Sequence, residues 1–191
     1  MYIHNKKYFI FRQKRCVIDR IDRTFKKELT TILIMKLDFI IAPLADYVGN
    51  SHQAMEDIIQ LAQSIFPCRD ARVSLSRKKL KPKYVAFVVD TNNRRIPVGF
   101  IIWRLTDANH ALLYRIGVKE NYRRHGIGTA LFMFSTRYLP CQRAGCLILL
   151  HCNVNNIPAR QFYNKLGFGV KQEIKNYYTN GDSAIEFMYQ T

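Results

Sequence analysis

The sequence predicts a mixed α/β domain built on a central, largely antiparallel sheet with flanking helices. Three observations carry that expectation. Short β-branched and apolar runs alternate with segments of helical periodicity. The stretches TNNRR and TNGD join pairs of apolar runs and mark hairpins. One strand–helix–strand segment, ALLYRIGV to CLILLHCN, needs a crossover, so its two strands should run parallel.

Leu37–Leu44 reads as the first strand of the body. Ser51 is a candidate N-cap for HQAMEDIIQLAQSIF, where Met55, Ile58, Ile59, Leu61, Ala62, Ile65 and Phe66 recur at helical spacing before Pro67 ends the helix. RVSLSRKKLKPK is basic and loop-like. YVAFVVD and IPVGFIIWRLT form a hairpin, and HALLYRIGV is the next strand. A helix follows over Thr129–Leu139. Gly145–Asn153 is almost continuously apolar, which predicts a strand buried on both faces. Ile157–Leu166 is a helix. FGVKQEI and SAIEFMYQ close the chain as strands joined through KNYYTNGD, where Asn180-Gly181 is the turn signal.

At 191 residues the chain suits one core. Its body predicts one domain over 35–191, because Met35 opens a complete set of elements. Residues 1–34 differ: nine basic residues stand against three acidic ones, without glycine or proline. They read as a basic extension, either disordered or translated upstream sequence, and lack the apolar core of a secretory signal. No apolar run reaches membrane-spanning length. The net charge of +16 favours anionic partners such as nucleic acid, ribosomes or phosphorylated ligands. Cys16, Cys68, Cys141, Cys146 and Cys152 have neither zinc-like nor CxxC spacing, so no metal is expected. Cys146 and Cys152 read as small core residues, and a reducing, cytoplasmic compartment is expected.

The chemistry starts at YRRHGIGT, which leaves a strand and enters a helix. A helix start offers unpaired N–H groups and partial positive charge, and glycines let the backbone close on a ligand. With Arg123 and Arg124 adjacent, the segment is a candidate anion cradle. It is neither a P-loop nor a dinucleotide-binding GxGxxG. Tight helix packing alone would also call for these glycines.

Arg-x-x-Gly-x-Gly after a strand ending in Val118 resembles the acetyl-CoA pyrophosphate loop of the GNAT acetyltransferase superfamily. NVNNIPARQFYNKLGF, about 30 residues on, resembles that family's second signature, and the likeness spans roughly Lys36–Gln190. The resemblance implies a GNAT fold, whose mixed sheet contains a splayed parallel strand pair, commonly opened at a bulge. It implies acetyl-CoA as co-substrate, with the backbone of Ile116, Gly117 and Val118 along the pantetheine arm. The amides of Arg124, Gly126, Ile127, Gly128 and Thr129, beside Arg123, would hold the pyrophosphate. Asn156 would meet the pantetheine, and Tyr163 would lie near the thiol.

Three further pieces are similar to N-terminal protein acetyltransferases of the RimI type and of the NatE catalytic subunit. LLHCNVNN places His151 at the base position, KNYYTNGD supplies Tyr177 and Tyr178 over the peptide backbone, and SIFPC puts Phe66 and Pro67 at the first-residue pocket. The NatE strand tyrosine is replaced by Leu112, and Tyr114, two residues on, is the candidate substitute. Arg115 is unusual in that apolar strand. The resemblance therefore implies transfer of acetyl to the α-amino group of a protein or peptide, with the ribosome or a ribosomal protein as a candidate partner. A neutral histidine can accept a proton from an α-amine of pKa near 8. Each side chain also has a purely structural reading: His151 as a hydrogen-bonded histidine, Tyr163 and Phe66 as core, Tyr177 and Tyr178 as hairpin packing. Two other functions remain open on sequence alone. One is a GNAT acting on a small-molecule amine or lysine side chain. The other is a basic RNA- or ribosome-binding module, although no RRM or KH signature appears.

Overall fold

The computed structural model describes residues 9–11, 39–49, 51–66, 84–91, 96–107, 109–139 and 145–190. Eight strands among them form one sheet: β1 (Phe9–Phe11), β2 (Phe39–Pro43), β3 (Tyr84–Thr91), β4 (Ile96–Leu105), β5 (His110–Val118), β6 (Leu147–Asn153), β7 (Gly169–Ile174) and β8 (Ala184–Gln190). The helices are α1 (Leu44–Val48), α2 (His52–Ile65), α3 (Ile127–Thr136) and α4 (Ile157–Lys165), with one 3-10 turn at Glu120–Tyr122. Strand order is β1-β2-β3-β4-β5-β6-β8-β7. Every pairing is antiparallel except β5 with β6. The mixed α/β class and the parallel crossover are as the sequence predicts.

The sheet separates two apolar layers. On one face, Ile127, Leu131 and Phe132 of α3 pack against Ile101 and Trp103 of β4, Leu113 of β5, and Ile148 and Leu150 of β6. On the other, Ile58, Ile59 and Ala62 of α2 cover Phe100 and Ile102. Seven consecutive residues of β4, Pro97–Trp103, are therefore buried, because helices lie on both of its faces. Ser51 caps α2 as expected, its side chain accepting from Ala54 N–H at 3.1 Å. The indole N–H of Trp103 donates to Ser135 Oγ at 2.9 Å inside the core.

Five features differ from the expectations. β6 is not buried on both faces: its burial alternates, with Ile148, Leu150 and Cys152 in the core and Leu147, Leu149, His151 and Asn153 only partly covered. Among the described residues no helix caps that second face. The helix after YRRHGIGT begins at Ile127 rather than Thr129, so the second glycine lies inside its first turn. The short helix α1 was not expected. Cys146 and Cys152 are core residues as expected, but Cys146 is disulfide-bonded, which the reducing environment read from the sequence did not anticipate. Three residues of the predicted extension, Phe9–Phe11, pair as an edge strand with Phe39–Ile41. The basic stretch 72–83 lies outside the described residues, as do 1–8 and 12–38. Among the described residues no helix is long and apolar enough to cross a membrane.

Candidate active site

The site is a gap in the sheet. The parallel pairing of β5 and β6 runs only through His110↔Leu147, Ala111↔Ile148 and Leu112↔Leu149. Beyond it, β5 continues to Val118 along β4, while β6 continues to Asn153 along β8. A bulge drives the divergence. Opposite Ile102 and Trp103, β5 presents Arg115 and Leu113, so Tyr114 is an inserted residue. The extra residue bends β5 and resets its alternation, putting Ile116 and Val118 against the α3 core.

The segment closing the wide end is an anion cradle by its backbone. Arg124 (φ 63°) and Gly126 (φ 72°) are both left-handed, and Gly126 is the N-cap of α3. Such a curl gathers successive N–H groups into a concavity at the positive end of a helix. The first intrahelical bond is Ala130 N–H to Gly126 C=O at 2.9 Å, which leaves the amides of Ile127, Gly128 and Thr129 for a ligand. Arg123 Nε donates to Val118 C=O at 3.0 Å and ties the loop to the end of β5. His125 Nδ1 is buried there without a hydrogen-bond partner. Gly128 has a second reason to be glycine: a Cβ would lie 3.2 Å from the Phe162 ring of α4. Asn156 caps α4, accepting from Ala159 N–H at 3.2 Å.

His151 lies on the half-open face of β6, beside the gap. Tyr177 stacks on it, with centroids 4.8 Å apart and planes at 25°, and Tyr178 meets Tyr177 edge-on. Burial lowers the His151 pKa below its ordinary value, partly opposed by Glu186, whose Oε1 is 3.5 Å from Nε2. The imidazole is therefore neutral and able to accept a proton at pH 7. Tyr163 lies on the opposite face, among Phe162, Phe168 and Phe187. Burial drives its pKa well upward, so its hydroxyl keeps its proton. Tyr178 is pushed up to about 12, again chiefly by burial.

The hairpin carrying the tyrosine pair is tethered. Asn153 Nδ2 donates to Asp182 Oδ2 at 2.7 Å, Asn180 donates to the same oxygen at 2.9 Å, and Tyr178 N–H donates to Asp182 C=O. Across the gap, Phe66 packs on β5, where a Cβ on Gly117 would come within 2.9 Å of Ile65 Cγ2 and 3.1 Å of the Phe66 ring. The Arg115 guanidinium lies over both Phe66 (5.4 Å) and Tyr114 (5.5 Å). Pro67 lies outside the described residues. Glu186, Asp182 and Asn153 were not singled out in the sequence. A signal existed for Glu186, a lone acid in the apolar run AIEFMY. Among the described residues no group of three His, Cys, Asp or Glu could hold a metal.

Residues 53–168 match the family model described as the Acetyltransferase (GNAT) family. The chain belongs to this family. An N-alpha-acetyltransferase of Sulfurisphaera tokodaii is 39% identical over 69 residues, which is 36% of this chain and 41% of that protein. N-alpha-acetyltransferase 30 of Schizosaccharomyces pombe is 29% identical over 154 residues, 74% of this chain and 95% of that protein. The first curated relatives are matched over only 41% to 56% of their length. Arabidopsis thaliana NAA60 in complex with acetyl-CoA shares the fold at a TM-score of 0.62, with 20% identity over 80% of this chain and 98% of that one. The likeness to that structure is one of overall fold.

Proposed function

We propose that this GNAT chain is an acetyl-CoA-dependent N-acetyltransferase that acetylates the N-terminal α-amino group of a protein or peptide. The observation that carries the reading is the gap itself. It has an amide-lined cradle at one end, and a neutral histidine under a tyrosine hairpin beside it. The similarity to N-alpha-acetyltransferases supports the α-amine as acceptor.

Acetyl-CoA, when bound, supplies an acetyl thioester to an attacking amine. The amides at the start of α3 fit its pyrophosphate, and the edge of β5 from Ile116 to Val118 fits an amide-bearing arm. His151 takes the proton that the α-ammonium must lose before it attacks, directly or through water. Burial keeps that ring unprotonated at neutral pH, and an α-amine needs a weaker base than lysine does. A strand N–H near Val118 suits the developing oxyanion. Tyr163, held protonated on the far side of the gap, is the candidate proton donor to the leaving thiolate. Tyr177 and Tyr178 close over the peptide, and Phe66 with Tyr114 and Arg115 frames its first residue.

The +16 charge supports an anionic partner, of which the ribosome is the natural candidate for an enzyme of nascent N-termini. A cytoplasmic site of action goes with that reading, although a disulfide at Cys146 is uncommon there. Peptides with free α-amines and varied first residues, incubated with acetyl-CoA while thiol release is followed, test the proposal. Release with a subset of first residues supports it. Release only with small amines overturns it.

A further inference from the structure

Glu186 is the only charged side chain buried among the described residues, at 7% exposure. Its neighbours Ile185 and Phe187 point into the α3 core, so Glu186 faces the half-open side with His151. The register makes this a cross-strand row: His151 of β6 opposes Glu186 of β8, which opposes Gln172 of β7. Gln172 Nε2 donates to Glu186 Oε2 at 2.8 Å, and Lys171 Nζ lies 3.1 Å from the same oxygen. Both can reach it because β7 shifts register between Val170 and Gln172, leaving Lys171 as an extra residue. Oε2 is thereby occupied, and Oε1 is presented to His151 Nε2 at 3.5 Å.

An unpaired buried carboxylate is costly, and a chain that only needed to pack this strand could use an apolar residue. Glu186 is instead kept ionised. Burial pushes its pKa up, but the Gln172 and Lys171 contacts, with His151, bring it below its ordinary value. A fixed carboxylate against one ring nitrogen selects the tautomer with hydrogen on that nitrogen and steadies the imidazolium that forms. We propose that Glu186, braced by Gln172 and Lys171, is a positioning residue for His151: it holds the proton on Nε2 and leaves Nδ1 as the basic atom. The inference rests on the reading of His151 as the base. The other charges facing His151 are Arg104 on β4 and Lys171 on β7, both of which disfavour the imidazolium, while Tyr177 covers the ring. Glu186 is the carboxylate that opposes them.

The test compares wild type, Glu186→Gln, Glu186→Asp, His151→Ala and the double variant His151→Ala/Glu186→Gln. The readouts are kcat against pH with an acceptor peptide, and the His151 ring titration by NMR in the acetyl-CoA-free enzyme. Glu186→Gln keeps the shape and the Gln172 contact, so folding is preserved, and melting curves check this. The expected result is a His151 pKa lower by roughly half a unit to one unit, an acid limb of kcat moved to lower pH by the same amount, and a plateau kcat down roughly tenfold. Glu186→Asp should recover part of the loss, and the double variant should be no slower than His151→Ala alone. An unchanged His151 pKa and acid limb in Glu186→Gln, with His151→Ala still strongly impaired, overturns the Glu186 inference and leaves the base assignment standing. A His151→Ala enzyme with wild-type kcat and pH profile overturns the base assignment itself.

Discussion

His151 is neutral at pH 7 because burial outweighs the carboxylate beside it. That fixes the sign of its pH behaviour. Its folded pKa lies below 6.5, so the base is present above that lowered value, and rate is lost as pH falls through it. His151→Ala should lower turnover roughly 10²–10⁴-fold, leave acetyl-CoA affinity unchanged, and lose less at high pH, where the substrate amine is already deprotonated. Parallel pH profiles with only a lower melting temperature would instead make His151 structural and turn attention to Tyr114. Gly126→Glu should abolish acetyl-CoA binding in calorimetry, since it puts a side chain and a negative charge on a left-handed residue at the cradle. Retained micromolar affinity in a folded variant would remove the phosphate assignment. Gly128→Glu is the poorer probe, because it also strikes Phe162. His151 was singled out in the sequence through the likeness of LLHCNVNN to the N-terminal acetyltransferases. The role offered for Glu186 was not, since pairing between β6, β8 and β7 is a long-range register that one strand's pattern does not reveal.

At the scale of elements, the β5 bulge does the most. The sequence carries Tyr114 and Arg115 side by side, where strict alternation would send them to opposite faces. The inserted residue explains how one guanidinium can lie over both the Tyr114 and Phe66 rings. The bulge could be expected from family likeness but not from composition, since nothing in HALLYRIGV breaks its pattern. Continuous burial was misassigned for a related reason: β6 is as apolar as β4, yet among the described residues β4 has a helix on each face and β6 does not. Two predictions belong here. Gly117→Val should cost roughly 1–3 kcal/mol in denaturant unfolding by overpacking against α2, and should raise the peptide KM by displacing Phe66; an unchanged midpoint would refute the close contact. Asp182→Ala should raise the peptide KM several-fold without altering acetyl-CoA affinity, because it frees the tyrosine hairpin from Asn153. Equal losses for both substrates would place the hairpin's effect elsewhere.

For the whole molecule, we propose that residues 35–191 carry the acetyltransferase domain and that the N-terminal extension is dispensable for its chemistry. β1 adds three residues at the edge of the sheet, with β2, β3, β4 and β5 between it and the β5–β6 gap. A chain beginning at Met35 should fold and turn over with similar rate constants; failure to fold would make the N-terminal segment part of the core. The succession of strands and helices along the chain and the single parallel crossover were readable from periodicity, whereas the placing of β8 between β6 and β7 was not. The opening between β5 and β6 was not, because it depends on where pairing stops. On the function proposed above, the site around that opening takes an α-amine. The most direct measurement uses one peptide with both a free N-terminus and an internal lysine, incubated with the enzyme and acetyl-CoA and located by fragment mass spectrometry. The account predicts a single acetyl group on the α-amine, lost in His151→Ala. Acetyl on the lysine side chain alone, or at both sites with equal rate, would contradict it.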